Sequence, residues 1–320
     1  MLRKTLILTA IFITSLLSFQ RGVLSSTNIL NCSKSLETSF NCEISGVEAF
    51  DDTLIFANDK KSDLSSQIFG FTYAQDPFFE IKIDNLNKIE DLAISDFFNT
   101  FVMTTAFDRI DLKTDKWDSF NVILGINKLQ EIYKIADKSL RSRISEVLKA
   151  DYFKIEGIEV LHNSILLGIR EVGKSYKKFD YKMTILELPF DFIDEKIVLK
   201  NELPKIILNL EEKNLGISSL KYDPNKDILY ILTSFESDTA EEMSFIYYCS
   251  LIDLMQKGEK SLKVLENGMG FPLRLNAKAE GITISGNNLI VVYDEDRDFR
   301  FRKNYEFRVS MIELTDFKDD

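Results

Sequence analysis

The chain has 320 residues, 45% hydrophobic and 28% charged, with 13 glycines and 5 prolines. That is globular composition with enough length for a large core, and it excludes collagen-like and disordered chains. The net charge of −11 repels phosphate backbones and argues against nucleic-acid binding.

Arg3 and Lys4 precede an uncharged apolar run from Thr5 to Leu17. The run is shorter than the roughly 20 residues a membrane span needs. Small residues follow, and Val23-Leu24-Ser25 is an acceptable cleavage signal. These features predict a signal peptide over residues 1–25 and one mature domain over 26–320, exported to the periplasm or beyond. An uncleaved N-terminal anchor is the alternative. No other stretch is apolar enough to predict a transmembrane span. An exported chain enters an oxidising compartment, where disulfides persist. Cys32 and Cys42 enclose a short loop and form the expected pair. Cys249, in the apolar run Ile246-Tyr247-Tyr248-Cys249, reads as a buried free thiol.

The rest of the chain repeats a hairpin pattern. Each unit has a small or acidic start, an alternating apolar strand, a polar turn, and a second apolar strand. The first runs from Ser45-Gly46-Val47 through a turn at Asp51-Asp52 to Asp59. The second starts at Glu90-Asp91, turns at Ser95-Asp96 and ends at Thr104. An insertion over 125–150 follows, with apolar residues at helical spacing (Leu129, Ile132, Tyr133, Ile135, Ala136, Ile144, Val147, Leu148). It predicts one or two helices bearing a basic patch of Lys138, Arg141, Arg143 and Lys149, with a lid or partner-binding helix as the sharper reading. The third unit, Glu156-Gly157-Ile158 to Arg170, turns at His162-Asn163. The fourth starts at Ser218, turns over Asp223–Asp227 and ends near Ser234. The fifth, Glu280-Gly281-Ile282 to Asp294, turns at Gly286-Asn287. Further strands follow the hairpins, for example Lys182 to Leu188 and Phe307 to Leu314. Repetition of this kind predicts an all-β propeller of five recognisable units, in five or six blades. A β-sandwich of similar hairpins is the competing architecture.

The segments Ile155-Glu156-Gly157-Ile158 with Leu166 to Arg170, Leu215 to Leu220 with Leu229 to Leu232, and Glu280 to Thr283 with Val291 to Asp294 resemble a known family. It comprises bacterial secreted proteins of unknown function, related to phytase-like or esterase-like β-propellers. Ser45-Gly46-Val47 with Asn58-Asp59 is similar to its opening blade. The resemblance implies a propeller fold and export, and no activity. Glu90-Asp91 departs from the family's Glu-Gly start.

In an antiparallel hairpin, the first residue of one strand and the last of the next share an end. In four units they are 14 positions apart. Ser45, Glu90, Glu156, Ser218 and Glu280, with Asp59, Thr104, Arg170, Ser234 and Asp294, are therefore expected at one mouth of the channel. Crowded carboxylates need protons, a basic partner or a cation. Two readings stay open: an Arg170–Glu156 network that closes the channel, and a metal site, with Ca²⁺ favoured, on Glu90, Glu156, Glu280, Asp59 and Asp294. His162, the single histidine, lies at the opposite end, away from any triad. No Gly-x-Ser-x-Gly or phosphate-loop motif is present. The expected function is binding of a small molecule or protein at the mouth. The alternative is metal-dependent hydrolysis of esters or phosphate esters, phytase-like in kind.

Overall fold

A computed structural model describes residues 19–31, 42–62, 65–72, 77–84, 86–95, 97–109, 111, 114–212, 214–235, 242–293 and 306–317. They form a five-bladed β-propeller. The chain starts with β1 (Phe19–Asn31), which belongs to the last blade. The first blade is β2 (Ile44–Phe50), β3 (Thr53–Ser62), β4 (Ser65–Thr72) and β5 (Pro77–Asp84). The second is β6 (Ile89–Ser95), β7 (Thr100–Thr105), β8 (Ile123–Ile126) and β9 (Ile132–Ala136). Helix α1 (Lys138–Leu148) leads into the third blade, β10 (Tyr152–Val160), β11 (Ser164–Ser175) and β12 (Lys178–Ile193). The long β12 pairs with β13 (Lys196–Leu199) near its end and with β14 (Lys205–Leu210) near its middle. The fourth blade is β15 (Leu215–Asp223), β16 (Ile228–Phe235) and β17 (Met243–Ser250), then α2 (Leu251–Lys257) and β18 (Lys263–Val264). The fifth is β19 (Ala279–Ser285), β20 (Asn288–Tyr293), β21 (Glu306–Phe317) and β1.

The innermost strands β2, β6, β10, β15 and β19 ring the axis, each against the next. They are largely buried on both faces, and all seven residues of β6 are buried. The core is five wedges, one between each pair of adjacent blades. Phe56, Phe69 and Phe307 fill the wedge between the first and fifth blades, with ring centroids 5.0–6.1 Å apart. Among the described residues no helix is long and apolar enough to cross a membrane.

Within the expected leader of residues 1–25, Phe19 to Leu24 pairs with Phe317 to Ile312 as the outer strand of the last blade. This strand closes the ring and covers what would be an open edge. Buried Gln20 also ties the last blade to the fourth: its N–H donates to Tyr248 Oη at 2.9 Å, and its Oε1 accepts from Tyr230 Oη at 2.7 Å.

The insertion over 125–150 is helical only from Lys138. Its first half completes the second blade as β9. Asn127 Oδ1 accepts from the N–H groups of Leu129 and Glu131 at 3.0 Å, and Gln130 takes a φ of 63°. This Asn-led turn overrides the helical spacing. Leu129, counted on the apolar face, is 70% exposed. Three of the four basic residues expected in the patch are engaged locally, and Lys149, just after α1, is exposed. Lys138 pairs with Asp115 and Asp118, Arg143 donates to Lys200 O, and buried Arg141 donates to Phe107 O and Asp151 O. Asp137 caps the helix by accepting from Ser139 N–H at 2.9 Å.

Cys42 is disulfide-bonded; its expected partner, Cys32, lies outside the described residues. Cys249 is a buried free thiol, and burial pushes it up to about 12.

Candidate ligand site at the channel mouth

The same irregularity recurs in all five innermost strands. Strand pairing skips one residue between Ile44 and Gly46, Ile89 and Asp91, Ile155 and Gly157, Ile217 and Ser219, and Ala279 and Gly281. The skipped residues are Ser45, Glu90, Glu156, Ser218 and Glu280, the five starts read from the repeat. Each is a β-bulge, which bends the strand and re-aims a side chain. The bulge moves the cross-strand neighbour, so that Glu156 lies opposite Gly168 and Ile169 rather than Arg170.

These side chains stitch neighbouring blades together. Ser45 Oγ donates to Ile89 O at 2.6 Å, first blade to second. Lys154 Nζ contacts Glu156 and lies 3.6 Å from Glu90, third blade to second. Arg170, itself bulged and 1% exposed, reaches Glu156 Oε2 at 2.8 Å. It also donates to Ser218 Oγ at 2.8 Å and Ser234 Oγ at 2.6 Å in the fourth blade. Its stem runs where Gly216 has no side chain; a Cβ there would sit 2.6 Å from Arg170 Cγ. Thr104 is buried and turns its hydroxyl to Thr105 O at 3.0 Å. Asp59 is close enough to favour the charged form of Lys88. Asp294 lies outside the described residues.

The repeat reading missed the lysines. Lys88, Lys154 and Lys278 each stand two residues before a bulged glutamate, in Lys-Ile-Glu, Lys-Ile-Glu and Lys-Ala-Glu. Lys88 lies 2.8 Å from Glu90, and Lys278 lies 2.7 Å from Glu280. The signal is a repeated Lys-x-Glu spacing at the start of three units. Burial alone would lower Lys154, but Glu156, Glu90 and Glu171 outweigh it and hold the lysine well above its ordinary value. Burial alone would raise Glu156, but Arg170, Lys154 and Lys278 hold it below the usual range. The positive charge that crowded carboxylates require is supplied by these side chains. The Arg170–Glu156 pair of the first reading is thus in place, inside a larger network.

One step further along the axis lie Gly46, Asp91, Gly157, Ser219 and Gly281. Asp91, the departure from the family pattern, fills the space its small neighbours leave. A Cβ on Gly46 would lie 2.9 Å from Asp91 Oδ1. Asp91 Oδ2 accepts from Ile158 N–H and Ser219 Oγ, both at 3.0 Å, and Oδ1 accepts from Leu92 N–H at 2.9 Å. It joins the second blade to the third and fourth. Burial holds its pKa well above the ordinary aspartate value, against these three hydrogen bonds.

Beside the network, between the second and third blades, is an open cavity of about 710 Å³. Asp108, Arg109, Trp117, Tyr152, Lys174 and Tyr176 are among its walls. Arg109 stacks on Trp117 and Phe120, its guanidinium 5.3 and 4.8 Å from the ring centroids. Tyr152 Oη donates to Glu171 at 2.5 Å. Asp108 links cavity to network, its Oδ2 3.6 Å from both Lys88 Nζ and Arg109 Nε. Its Oδ1 is buried and has no hydrogen-bond donor among the described residues. Among the described residues no three His, Cys, Asp or Glu side chains are grouped to hold a metal ion.

No protein-family model matches the chain, and no curated protein matches it in sequence. Solved structures match in fold. The catalytic domain of a GH62 α-L-arabinofuranosidase from Coprinopsis cinerea is 10% identical, covers 93% of this chain and 98% of its own, and gives a TM-score of 0.50. A DUF4221 family member from Bacteroides vulgatus is 9% identical over 93% and 99% of the chains, at 0.43. A thermostable family-43 glycoside hydrolase is 9% identical over 94% and 93%, at 0.47. At such identities the likeness concerns the propeller fold alone. The phytase-like relation has no match behind it.

Proposed function

We propose that the protein is an exported binding propeller that holds a polyhydroxylated small molecule, such as an oligosaccharide, in the cavity between its second and third blades. The observation that carries this reading is Asp108 Oδ1, a buried acceptor without a donor among the described residues, on the wall of a cavity of about 710 Å³. A buried unpaired acceptor costs about 1–3 kcal/mol, which a ligand hydroxyl recovers. Trp117 and Tyr176 offer ring faces, and Arg109 and Lys174 offer donors, so the walls suit a ligand with both apolar and hydroxylated faces. The lysine-paired glutamates serve as the scaffold. Metal-dependent hydrolysis of esters, by contrast, would require Glu90, Glu156 and Glu280 to exchange their lysines for a cation.

Export rests on the N-terminal segment. Because β1 begins at Phe19, the reading now places the end of the leader before that residue rather than at Ser25.

Trp117 is the single tryptophan, so its fluorescence reports on the cavity directly. Titration with a panel of neutral oligosaccharides is expected to shift its emission with saturation, and Asp108→Asn is expected to weaken that response at least tenfold. No saturable change with any panel member at millimolar concentration would remove the proposal.

A further inference from the structure

The opposite end of the channel has a different charge balance. Three positions beyond each bulge lie Glu48, Ala93, Glu159, Lys221 and Thr283. Thr283 Oγ1 donates to Glu48 Oε2 at 2.7 Å. Lys221 Nζ bonds Glu48 Oε1 and lies 3.6 Å from Glu159 Oε2. The carboxylates are 2% and 3% exposed, so two buried acids share one lysine. Backbone N–H groups hold Glu159 in place: Val160 donates to Oε1 at 2.8 Å and Tyr222 to Oε2 at 2.7 Å.

Glu159 and Lys221 form part of the wall of a cavity of about 410 Å³. The remaining wall is largely apolar, with Ile94, Leu251 and Met255, and Phe97 and His162 are also in it. Phe97 is 60% exposed and meets His162 edge to face at 4.8 Å. The volume is at the small end of ligand sites, room for one ring and a short arm.

We propose that this cavity binds a small organic monocation, a primary ammonium on an aromatic or apolar body, with the ammonium seated on Glu159 and the body against Phe97, His162 and Met255. The site is separate from the cavity of the proposed function, at the other end of the axis. Charge complementarity selects the ligand: Glu48 and Glu159 carry one more negative charge than Lys221 neutralises. Burial, partly offset by Lys221 and reinforced by Glu48, pushes Glu159 up to about 7. At neutral pH a proton therefore occupies the place of the missing cation for part of the time. The charged and titratable groups facing this position are Glu48 from β2, Lys221 and Tyr222 from β15, and His162 and Glu187 from the third blade; Tyr222 Oη donates to Asp227 at 3.1 Å and Ser164 Oγ to Glu187 at 3.2 Å.

The probe is benzylammonium, with benzyl alcohol as its uncharged counterpart, titrated into the full chain by calorimetry. Benzylammonium is expected to bind about tenfold more tightly at pH 8 than at pH 6, the change in ionised fraction for an acid near 7. At pH 6 the heat should depend on the buffer's ionisation enthalpy, because a proton leaves as the ligand enters. Benzyl alcohol is expected not to bind, and Glu159→Gln to abolish binding of the cation. Phe97 is a surface residue, so Phe97→Ala should fold and weaken binding at least fivefold, which keeps the test decisive if Glu159→Gln does not fold. Equal affinity for amine and alcohol, binding retained in Glu159→Gln, or no heat at millimolar benzylammonium at pH 8 would overturn the proposal.

Discussion

Replacing Arg170 with methionine tests whether the mouth network is held by charge pairing or by shape. Methionine keeps much of the stem and removes the guanidinium. Glu156 then loses its 2.8 Å partner, and Ser218 and Ser234 lose their donor. Removing one member of a buried pair costs about 3–5 kcal/mol, because the other charge stays in a poorly solvating place. Lys154 remains beside Glu156, which puts the expected loss near 3 kcal/mol on that scale. Urea unfolding followed by circular dichroism at pH 7.5 measures it. If the orphaned charge carries the cost, Glu156→Gln in the Arg170→Met background restores more than half of the loss. The pH dependence has a definite sign. Glu156 is held below its ordinary value in the folded state, so its contribution is present above about pH 4.3 and is lost as the pH falls through the folded value. The gap between wild type and Arg170→Met should therefore narrow below about pH 4. A loss under 1 kcal/mol with no recovery in the double variant would refute charge pairing as the cause.

Asp91 predicts the opposite slope. Burial raises its folded value, so its contribution is largest at low pH and declines as pH rises from about 4, the unfolded value. Unfolding midpoints at pH 4, 6 and 8 should move in favour of Asp91→Asn with rising pH, and a pH-independent difference would remove this account of the plug. Truncation tests the closing strand. A chain starting at Phe19 should match the longer chain in urea midpoint. One starting at Ser26 should lose at least about 2 kcal/mol, from the two Gln20 hydrogen bonds alone; equal midpoints for the two truncations would contradict the pairing of Phe19 to Leu24.

The ring was legible because hairpins constrain their own ends. Glu280 to Tyr293 is local enough for alternation and a Gly-Asn turn to define it, and four other copies gave the same start. What local pattern could not show was which blade each side chain would face. Lys154 is two residues from Glu156 in the chain, yet its reach to Glu90 depends on the second and third blades meeting. Asp91 reads as a lapse from Glu-Gly because its role depends on Gly46, Ile158 and Ser219, which lie in other blades. Phe19 to Ser25 reads as the tail of a leader because its partner strand is almost 300 residues away. The helical spacing over 127–136 failed for a local reason: one Asn-led turn at Asn127 outweighs a periodicity that the exposed Leu129 never used.

The two ends of the channel differ in a way that bears on where ligands go. At the bulge end, Glu90, Glu156 and Glu280 each have a lysine two residues before them in the chain, and Arg170 adds a further cation bonded to serines. A balanced buried network of this kind has little to gain from an added ion, and it rigidifies the ring. Two features border the cavities: Asp108 Oδ1, which has no hydrogen-bond donor among the described residues, at the edge of one, and the Glu48–Glu159 pair beside Lys221 at the floor of the other. Unsatisfied buried polarity costs stability and persists where something recovers the cost. On this argument the bulged residues of the repeat hold the five blades together, and the two proposed ligand sites fall to residues outside that set. Asp108 lies in the second blade's long connection between β7 and β8, and Glu159 occupies a position where the second blade has alanine and the fifth has threonine.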